Sequence, residues 1–562
     1  MIYFIYSYYF PITFRNVISW LGIPYASPPI GNLRFRHPRP MQPWDGIRNA
    51  TQPPNSCVQI DDTMFPGFDG TEKWNANTPI SEDCLYLSVT APEIPKQDKQ
   101  RLPVLVWIHG GGFFSGTTTL DVYDPRTLVS EEEILFVGIQ YRLGSLGFLF
   151  ADSHEAPGNA GLFDQLMALV WVKENIIEFG GDPERITIAG GTAGAASVGF
   201  HLLSPLSNTY FSQAIMQSSS ALVPWGLLSK KEASARSKDL AGIARCPIDD
   251  LSLMIDCLRG LKATQIMYLE WESPRLRIMD IPFVPVLDGI FIPDNPREAL
   301  HLGGYKKVNI LIGTNEDDGQ PDMFYNLPDL FKMSENVSIG DEYFTKAVNE
   351  LNPYVNEVGR NAIIFEYIDW SRPRSPILNR DALTEMMSDH QFTCPTIDFA
   401  HGLTGGENKV FMYKFNHRSS RNPWPVWSGV IQGEEIPFVF GDPLNRSKSY
   451  MESEIELSKR MMRYWSNFVR AGDPNLSLVA TETRWPEYNP IQRRVLELQA
   501  GNNSISEGLD LRKCEFWSRY LPNLLSSTTK SLVNNVSLSL EENLEPSKNK
   551  GLWNFFTGEL FF

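Results

Sequence analysis

Apolar positions along the chain alternate between short continuous runs and stretches with helical spacing. The runs VLVWI (104–108), ILFVGIQY (134–141) and ITIAG (186–190) are β-rich and apolar throughout, as is typical of strands buried on both faces of a sheet. Residues 159–177 carry apolar side chains at helical spacing, which predicts an amphipathic helix. Further strands are predicted at 213–217, 308–313, 409–415 and 494–498, and a further helix at 454–471. Strands separated by helices indicate an α/β fold with a mostly parallel sheet covered on both faces.

Length and composition favour one large domain. The sequence has 562 residues, with no Pro/Gly/Ser linker, repeat or long charge block before about residue 524. Large α/β enzymes reach this size as single domains. We expect that domain at 18–524, after an atypical apolar N-terminus (1–17). The tail (525–562), rich in Ser, Asn, Lys and Glu, is predicted to be disordered and ends in a short apolar run.

Charge and cysteine content narrow the class of protein. A formal net charge of -16 argues against nucleic-acid binding, which needs a basic face. Six cysteines permit fifteen pairings, and spacing alone does not choose among them. None forms a CxxC motif, and we expect no metal and no cofactor. N-glycosylation sequons begin at Asn49, Asn336, Asn445, Asn475, Asn502 and Asn535. Cysteines and sequons together favour the secretory route, which predicts a secreted protein or one on the extracellular face of the plasma membrane.

Neither end of the chain indicates the cellular location of the protein. Residues 1–14 are apolar and aromatic, but they lack a basic n-region and a small-residue cleavage site and are too short to span a bilayer. The closing run LWNFFTGELFF (552–562) is interrupted by Glu559 and is short for the removable tail of a lipid-anchor signal. The expected location therefore rests on the cysteines and the sequons.

Three glycine-containing segments stand out: WIHGGGFFSG (107–116), GDPERITIAGGTAGAASV (181–198) and WSGVIQGEEIPFVFGDPL (427–444). They resemble the oxyanion-hole loop, the nucleophile elbow and the histidine loop of the type-B carboxylesterases, and among these the cholinesterases. The resemblance covers roughly residues 18–520 and implies an α/β-hydrolase fold, with a mostly parallel central sheet covered by helices. It also implies three disulfide bridges, which are Cys57–Cys84, Cys246–Cys257 and Cys394–Cys514.

The resemblance assigns the parts of a serine-hydrolase site to numbered residues. Such a site needs a hydroxyl on a strained turn, an imidazole, a carboxylate and amide donors for the oxyanion. The donors are implied at Gly111, Gly112 and Ala193. Thr192 stands where the family has its nucleophilic serine. A β-branched residue is expected to be strained in the backbone conformation of this turn.

The base and the acid also differ from the family pattern. Gln432 stands at the histidine position, and its amide cannot accept a proton near neutral pH. The acid is implied at Asp318, where cholinesterases carry a glutamate. Glu316 and Asp317 are the alternatives if the loop is shifted.

Two neighbouring positions bear on whether the base can be replaced. Gly191 stands where the family has an acidic residue beside the serine. Of the eight histidines, only His109 is near the site by motif, and the resemblance implies that it buttresses the oxyanion loop. We therefore expect no other imidazole to take the proton of Thr192.

The resemblance implies a gorge for a cationic ligand. Trp74 matches the choline-site tryptophan, which holds quaternary ammonium by cation–π contact. Asp62 matches the acidic residue of the gorge rim, and Tyr123 and Tyr325 match gorge tyrosines. Trp225 matches an acyl-pocket tryptophan more loosely.

Other gorge positions have changed. Ile60 replaces a rim tyrosine, and Pro321 replaces an aromatic residue near the choline site. Met279 and Ile281 stand where acetylcholinesterases carry two phenylalanines, while Trp271 matches a rim tryptophan loosely. The cationic pocket is predicted to keep fewer aromatic residues, and the acyl pocket to have room for bulkier acyl groups.

Together these substitutions predict a cholinesterase-like homologue that is non-hydrolytic or severely impaired and binds a ligand or a partner. The alternative is an active carboxylic (choline) ester hydrolase that uses Thr192. The resemblance implies a choline-type cationic ligand or ester, or a protein partner as in the adhesion relatives of the family. The oligomeric state is left open.

Overall fold

A mostly parallel sheet runs through the part of the chain that the computed structural model describes, which is residues 9–10, 12–14, 16–93, 101–273, 278–476, 483–508 and 511–528. Its strands and those of three small two-stranded sheets are, in chain order, β1 (Tyr9–Phe10), β2 (Ile12–Phe14), β3 (Val17–Pro24), β4 (Arg48–Asn49), β5 (Ser56–Cys57), β6 (Ile80–Ser81), β7 (Tyr86–Pro92), β8 (Leu102–Ile108), β9 (Leu135–Ile139), β10 (Phe150–Ser153), β11 (Ala156–Pro157), β12 (Gly181–Gly191), β13 (Gln213–Gln217), β14 (Asn309–Asn315), β15 (Val410–Phe415), β16 (Arg494–Leu498) and β17 (Ser504–Glu507).

The order of strands across the large sheet is β17-β16-β15-β14-β13-β12-β8-β9-β7-β3-β2. Every neighbouring pair from β16 to β9 is parallel, and the antiparallel pairs lie at the two edges. The strands predicted from apolar runs are β8, β9, β12, β13, β14, β15 and β16, which confirms the α/β fold class with a mostly parallel sheet.

Helices cover the sheet and connect its parallel strands. They are α1 (Asp69–Glu72), α2 (Arg126–Glu132), α3 (Gly144–Phe148), α4 (Ala160–Asn175), α5 (Ala193–Leu203), α6 (Lys230–Ile243), α7 (Leu251–Gly260), α8 (Ala263–Leu269), α9 (Pro296–His301), α10 (Gln320–Asn326), α11 (Asp341–Leu351), α12 (Glu357–Tyr367), α13 (Pro376–Ser388), α14 (Cys394–Gly402), α15 (Ile436–Phe440), α16 (Glu452–Ala471) and α17 (Leu511–Glu515). The two helices predicted from spacing are α4 and α16. No helix in the described ranges is long and apolar enough to cross a membrane.

The apolar core lies on both faces of the sheet. Along β8, Val104 and Val106 join one cluster of buried side chains, while Leu105 and Trp107 join the other. This is the period-two alternation of a strand whose two faces are both covered. Helix α4 packs in the first cluster and α16 in the second, so a helical layer closes each face.

The C-terminal end of the described chain is helical. Residues 521–528 continue as a helix, and Leu525 is buried. The predicted disordered tail falls on residues outside the described ranges from 529 onward, as do residues 1–8 of the predicted apolar N-terminus.

Three disulfide bridges form as the resemblance implied: Cys57–Cys84, Cys246–Cys257 and Cys394–Cys514. The bridge Cys394–Cys514 spans 120 residues and ties the C-terminal helices to α14. In the chain-entropy model a closed loop of this length stabilises the fold by about 4–5 kcal/mol.

Candidate active site

A sharp turn joins β12 to α5 at Thr192. The backbone of Thr192 has φ 51° and ψ -115°, so this β-branched residue lies in a region that L-residues rarely adopt. Its amide donates to the carbonyl of Gln217 at the end of β13 (2.9 Å), and its carbonyl accepts from Ala196 in α5 (2.9 Å). The sheet and the helix therefore hold the strained conformation that the sequence predicted.

Close packing around this turn requires its glycines. A Cβ on Gly194 would lie 2.0 Å from the carbonyl oxygen of Ile108, and a Cβ on Gly190 would lie 2.4 Å from the carbonyl carbon of Gly194. A Cβ on Gly110 would stand 3.5 Å from Oγ1 of Thr192. The loop after β8 therefore passes directly against the turn.

The loop after β8, where the oxyanion-hole glycines are predicted, turns sharply at two glycines with positive φ. Gly111 and Gly112 have φ of 103° and 60°, and a Cβ on Gly111 would lie 2.2 Å from the carbonyl oxygen of Ser115. Ala193 is the first residue of α5, where helix amides have no intrahelical acceptor and carry the positive end of the helix dipole. The three predicted donors are thus brought to one end of the sheet.

His109 lies beneath this loop rather than beside Thr192. Its Nδ1 is 2.8 Å from the carbonyl oxygen of Gly110, and its ring stacks on Tyr141, whose hydroxyl donates to the His109 carbonyl (2.9 Å). Burial lowers the pKa of His109 to about 4. The imidazole is therefore neutral and supports the loop, as the resemblance implied.

No other imidazole reaches the turn. All eight histidines lie in the described ranges, and none hydrogen-bonds to the Thr192 hydroxyl. His201, for example, is fully buried between Ser207 and Gln165, and burial lowers its pKa to about 3. In the described ranges the Thr192 hydroxyl therefore has no histidine as a hydrogen-bond partner.

The loops that carry the acid and histidine positions are joined to each other. Asp317 and Ile431 form an isolated parallel β-bridge. The residues that come directly after them, Asp318 and Gln432, therefore occupy corresponding positions on the two loops. Nε2 of Gln432 is buried without a hydrogen-bond partner. The structure thus brings the predicted acid and base positions together, with an amide in place of the imidazole.

The three candidate acids have different surroundings. Glu316 is half exposed and pairs with Lys414 (2.7 Å), and Asp317 accepts a hydrogen bond from the Val430 amide (2.9 Å). Asp318 is fully buried, and its Oδ2 accepts from the Asn315 amide (3.0 Å) while Oδ1 has no partner. This placement supports Asp318 as the acid position.

Burial changes the charge of Asp318. Desolvation, with a smaller contribution from Glu435, raises its pKa well above the usual range. Without an imidazolium beside it the carboxyl has no cation to stabilise its ionised form. Burial therefore opposes ionisation of this carboxyl.

Glu435 is a buried site residue that the sequence reasoning missed. Asn315 donates to its Oε2 (2.7 Å) and Gln217 donates to its Oε1 (3.0 Å), while Trp465 donates to Gln217 (3.0 Å). Its only signal in the sequence is the GEE run after Gln432, which does not show that the second glutamate points inward.

Gly191 leaves room where the family has a carboxylate. A Cβ there would meet only Ile436, at 3.6 Å, and Trp107, at 3.9 Å. The backbone would accept a side chain at this position, so the loss of the acidic group is not imposed by the fold.

The predicted gorge aromatics face the same end of the sheet. Trp74 lies 6.2 Å from Tyr123 between ring centres, and a Cβ on Gly433 would lie 2.9 Å from the Trp74 ring. The ammonium of Lys73 lies 5.4 Å from the Trp74 ring centre. The ring thus stands next to the Gln432 loop, with a cation of the chain itself already above it.

Two predicted gorge residues are joined by a hydrogen bond that the Tyr325 hydroxyl donates to the Asp62 carboxylate. The Asp62 amide donates to the side chain of Asn75 (2.7 Å), and Asn75 donates back to the Asp62 carbonyl (3.0 Å). Since Asn75 adjoins Trp74, these contacts connect the rim to the aromatic wall. Ile60, the other changed rim position, is partly buried.

The predicted acyl-pocket residues lie around the oxyanion loop. A Cβ on Gly112 would stand 3.3 Å from Ile281, and Met279 is partly buried with φ 48°. Trp225 is 2% exposed, donates to the Gln391 carbonyl (3.2 Å) and packs against Phe113. Ile281 is therefore placed beside the predicted oxyanion site, whereas Trp225 supports the loop from within the core.

The strand order, the strand–turn–helix at Thr192 and the acid loop after β14 define an α/β-hydrolase. Over residues 9–517 the chain matches the model of the carboxylesterase family, and it belongs to that family. It is 41% identical to the acetylcholinesterase of Electrophorus electricus over 547 residues, covering 91% of this chain and 86% of that protein. It is 42% identical to the cholinesterase of Mus musculus over 520 residues, covering 92% and 85%.

Proposed function

We propose that this cholinesterase-like carboxylesterase family member is non-hydrolytic or severely impaired, and that it binds a cationic ligand or a partner surface. The observation that carries the proposal is the amide of Gln432 at the base position, matched in register with the buried Asp318. A neutral amide cannot take the hydroxyl proton, so Thr192 stays a weakly nucleophilic alcohol.

The missing base has a large energetic effect. Removal of the histidine from a serine-hydrolase triad costs roughly 10⁶-fold in turnover, or about 8 kcal/mol of transition-state stabilisation. The raised pKa of Asp318 acts in the same direction, because a carboxyl that is harder to ionise supplies less negative charge behind the base position.

An active ester hydrolase that uses Thr192 is the second candidate. It is favoured by the retained turn and oxyanion loop, since Thr192 keeps a hydroxyl next to Gly110 and the positive-φ glycines that follow it. Oxyanion donors and binding alone leave a residual acceleration of about 10³–10⁴ over water in triad-deleted enzymes.

A hydrolysis assay separates the two candidates. Purified protein should show no turnover of acetylthiocholine, butyrylthiocholine or a nitrophenyl ester above a heat-killed control. An organophosphate should fail to label Thr192. Two outcomes would show an activated hydroxyl and favour the second candidate. One is turnover within about a hundredfold of an ordinary cholinesterase, which would lie in the typical range for enzymes. The other is stoichiometric labelling of Thr192.

The protein is further proposed to be a secreted glycoprotein, a location consistent with its three disulfides. The sequons at Asn49, Asn336, Asn445 and Asn502 are exposed. At Asn475, by contrast, the amide nitrogen donates to Asp473 (2.9 Å) and to the Trp485 carbonyl (3.0 Å), so it is not free to react in the folded chain. Intact-glycopeptide mass spectrometry should find glycans at exposed sequons and none at Asn475.

A further inference from the structure

The open face of α10 carries a carboxylate that the predicted chemistry does not use. Met323 and Phe324 of this helix are buried in the core, while Asp322 and Tyr325 lie three residues apart on the opposite, partly exposed side. The hydroxyl of Tyr325 reaches Asp62 across the gorge. Asp322 therefore lies on the side of α10 that the Tyr325–Asp62 contact joins to the segment containing Asp62 and Trp74, and the surface between them is called the recess below.

Asp322 has no compensating partner in the described ranges. Its side chain makes no ion pair or hydrogen bond there, and the Asn326 side chain donates only to its backbone carbonyl (2.8 Å). Protein surrounds the carboxyl closely enough that burial alone raises its pKa to about 7, although part of its surface stays open. Burying a carboxylate in this way costs free energy unless a cation or a hydrogen-bond donor contacts it.

The opposite side of the recess is aromatic. Trp74 is held beside Asp62 through Asn75, and its ring is 6.2 Å from Tyr123. The recess thus combines a carboxylate without a donor and π faces that attract cations. A ligand that satisfies both must carry positive charge and N–H groups.

Resting on the ligand-binding function proposed above, we infer that the gorge prefers a protonated primary or secondary amine, anchored by Asp322, over a quaternary ammonium ion. Charge-assisted N–H···O bonds to a carboxylate are short and roughly twice as strong as neutral ones. A quaternary ammonium ion has no N–H, so it contacts Asp322 only through its methyl groups and gains only cation–π and through-space attraction.

A matched pair of probes tests the inference. Phenethylammonium and its N,N,N-trimethyl analogue differ only at the nitrogen, and binding of each to the full chain is measured by calorimetry and by quenching of tryptophan fluorescence. Wild type should bind the primary amine about tenfold or more tightly than the quaternary probe. Asp322→Asn should weaken the primary amine about tenfold and the quaternary probe several times less.

Controls make each outcome decisive. Asp329→Asn removes an exposed charge just beyond α10 and should leave both affinities within about twofold, as expected for a screened surface charge. Asp322→Asn is isosteric and removes an uncompensated charge, so its thermal midpoint should not fall. Equal or tighter binding of the quaternary probe, or equal losses for both probes in Asp322→Asn, would overturn the inference and leave ligand binding standing.

Two other outcomes concern the function on which the inference rests. Absence of saturable binding by either probe would overturn the inference together with the ligand-binding function. Ester turnover in the same preparation would instead overturn the non-hydrolytic function, while the ratio of the two affinities would still decide the role of Asp322.

Discussion

Asp317 and Val430 exchange two hydrogen bonds between the acid loop and the loop of Gln432. The amide of Asp317 donates to the Val430 carbonyl (3.0 Å), and the amide of Val430 donates to the Asp317 carboxylate (2.9 Å). A Cβ on Gly429 would lie 2.0 Å from the same carboxylate, so glycine is needed for this approach. The loop predicted to carry the acid is therefore tied directly to the loop in which Gln432 stands at the histidine position.

This connection between the two loops predicts that activity can be restored. The triple variant Gln432→His, Thr192→Ser and Gly191→Glu should hydrolyse acetylthiocholine at least about a hundredfold faster than wild type, because the imidazole is the missing proton acceptor. Room for a Cβ at Gly191 makes the third change compatible with the fold. Steady-state rates are compared with Thr192→Ser alone, which should stay near the background; a triple variant equally inert would contradict the prediction.

Backbone strain at Thr192 predicts a gain in stability on substitution. Thr192→Ser removes the β-branch from a residue at φ 51° and should raise the free energy of unfolding by about 1 kcal/mol in a denaturant titration. The control Thr187→Ser changes a buried residue of β12 in the same strand–turn–helix. Loss of its methyl group should lower the free energy of unfolding by about 0.8 kcal/mol. A loss of stability in both variants would show that the turn is not strained.

The raised pKa of Asp318 predicts a pH-dependent effect of Asp318→Asn. A carboxyl whose folded pKa is raised contributes stability that is fully present below its unfolded pKa, near 3.9, and is lost as pH rises through the folded pKa. Asn cannot ionise, so the variant should gain more thermal stability at about pH 8 than at about pH 5. Thermal midpoints across this range check the prediction, with exposed Asp329→Asn measured as a surface-charge control. A uniform shift in Asp318→Asn would exclude linkage.

The position of Lys73 predicts a competition at the aromatic wall. Its ammonium lies 5.4 Å from the Trp74 ring centre, where a cationic ligand would bind. Lys73→Met should therefore tighten binding of the quaternary probe by about two- to fivefold, the range expected for a partly exposed cation–π contact. Fluorescence titration measures the change, with exposed Lys231→Met on α6 as the charge control. Weaker binding in Lys73→Met alone would mean that the lysine helps to hold the ligand.

Local sequence patterns were sufficient to predict the strands of the sheet and the strained turn at Thr192. Apolar runs located β8 and β12 because strands covered on both faces cannot accept polar side chains, and the elbow motif located the strained Thr192. These features depend on short stretches of sequence whose conformation is decided locally.

Contacts between residues that are distant in the sequence could not be predicted in the same way. Glu435 is bound by Asn315, 120 residues away, and nothing near either residue identifies the other. The isolation of Asp322 is likewise visible only when every element around α10 is in place, since an aspartate in a short helix is ordinarily solvated. Burial of a charge is decided by tertiary packing rather than by the residues beside it.

Gly194 has a bearing on what the glycine pattern of the turn reveals about activity. A Cβ on Gly194 would lie 2.0 Å from the carbonyl oxygen of Ile108, so a larger residue would require the backbone to shift. Glycine at this position is thus required for folding whether or not the chain cleaves esters. The glycine spacing of the turn therefore carries no information about ester cleavage. Gln432, at the histidine position of the family, is the informative residue to inspect.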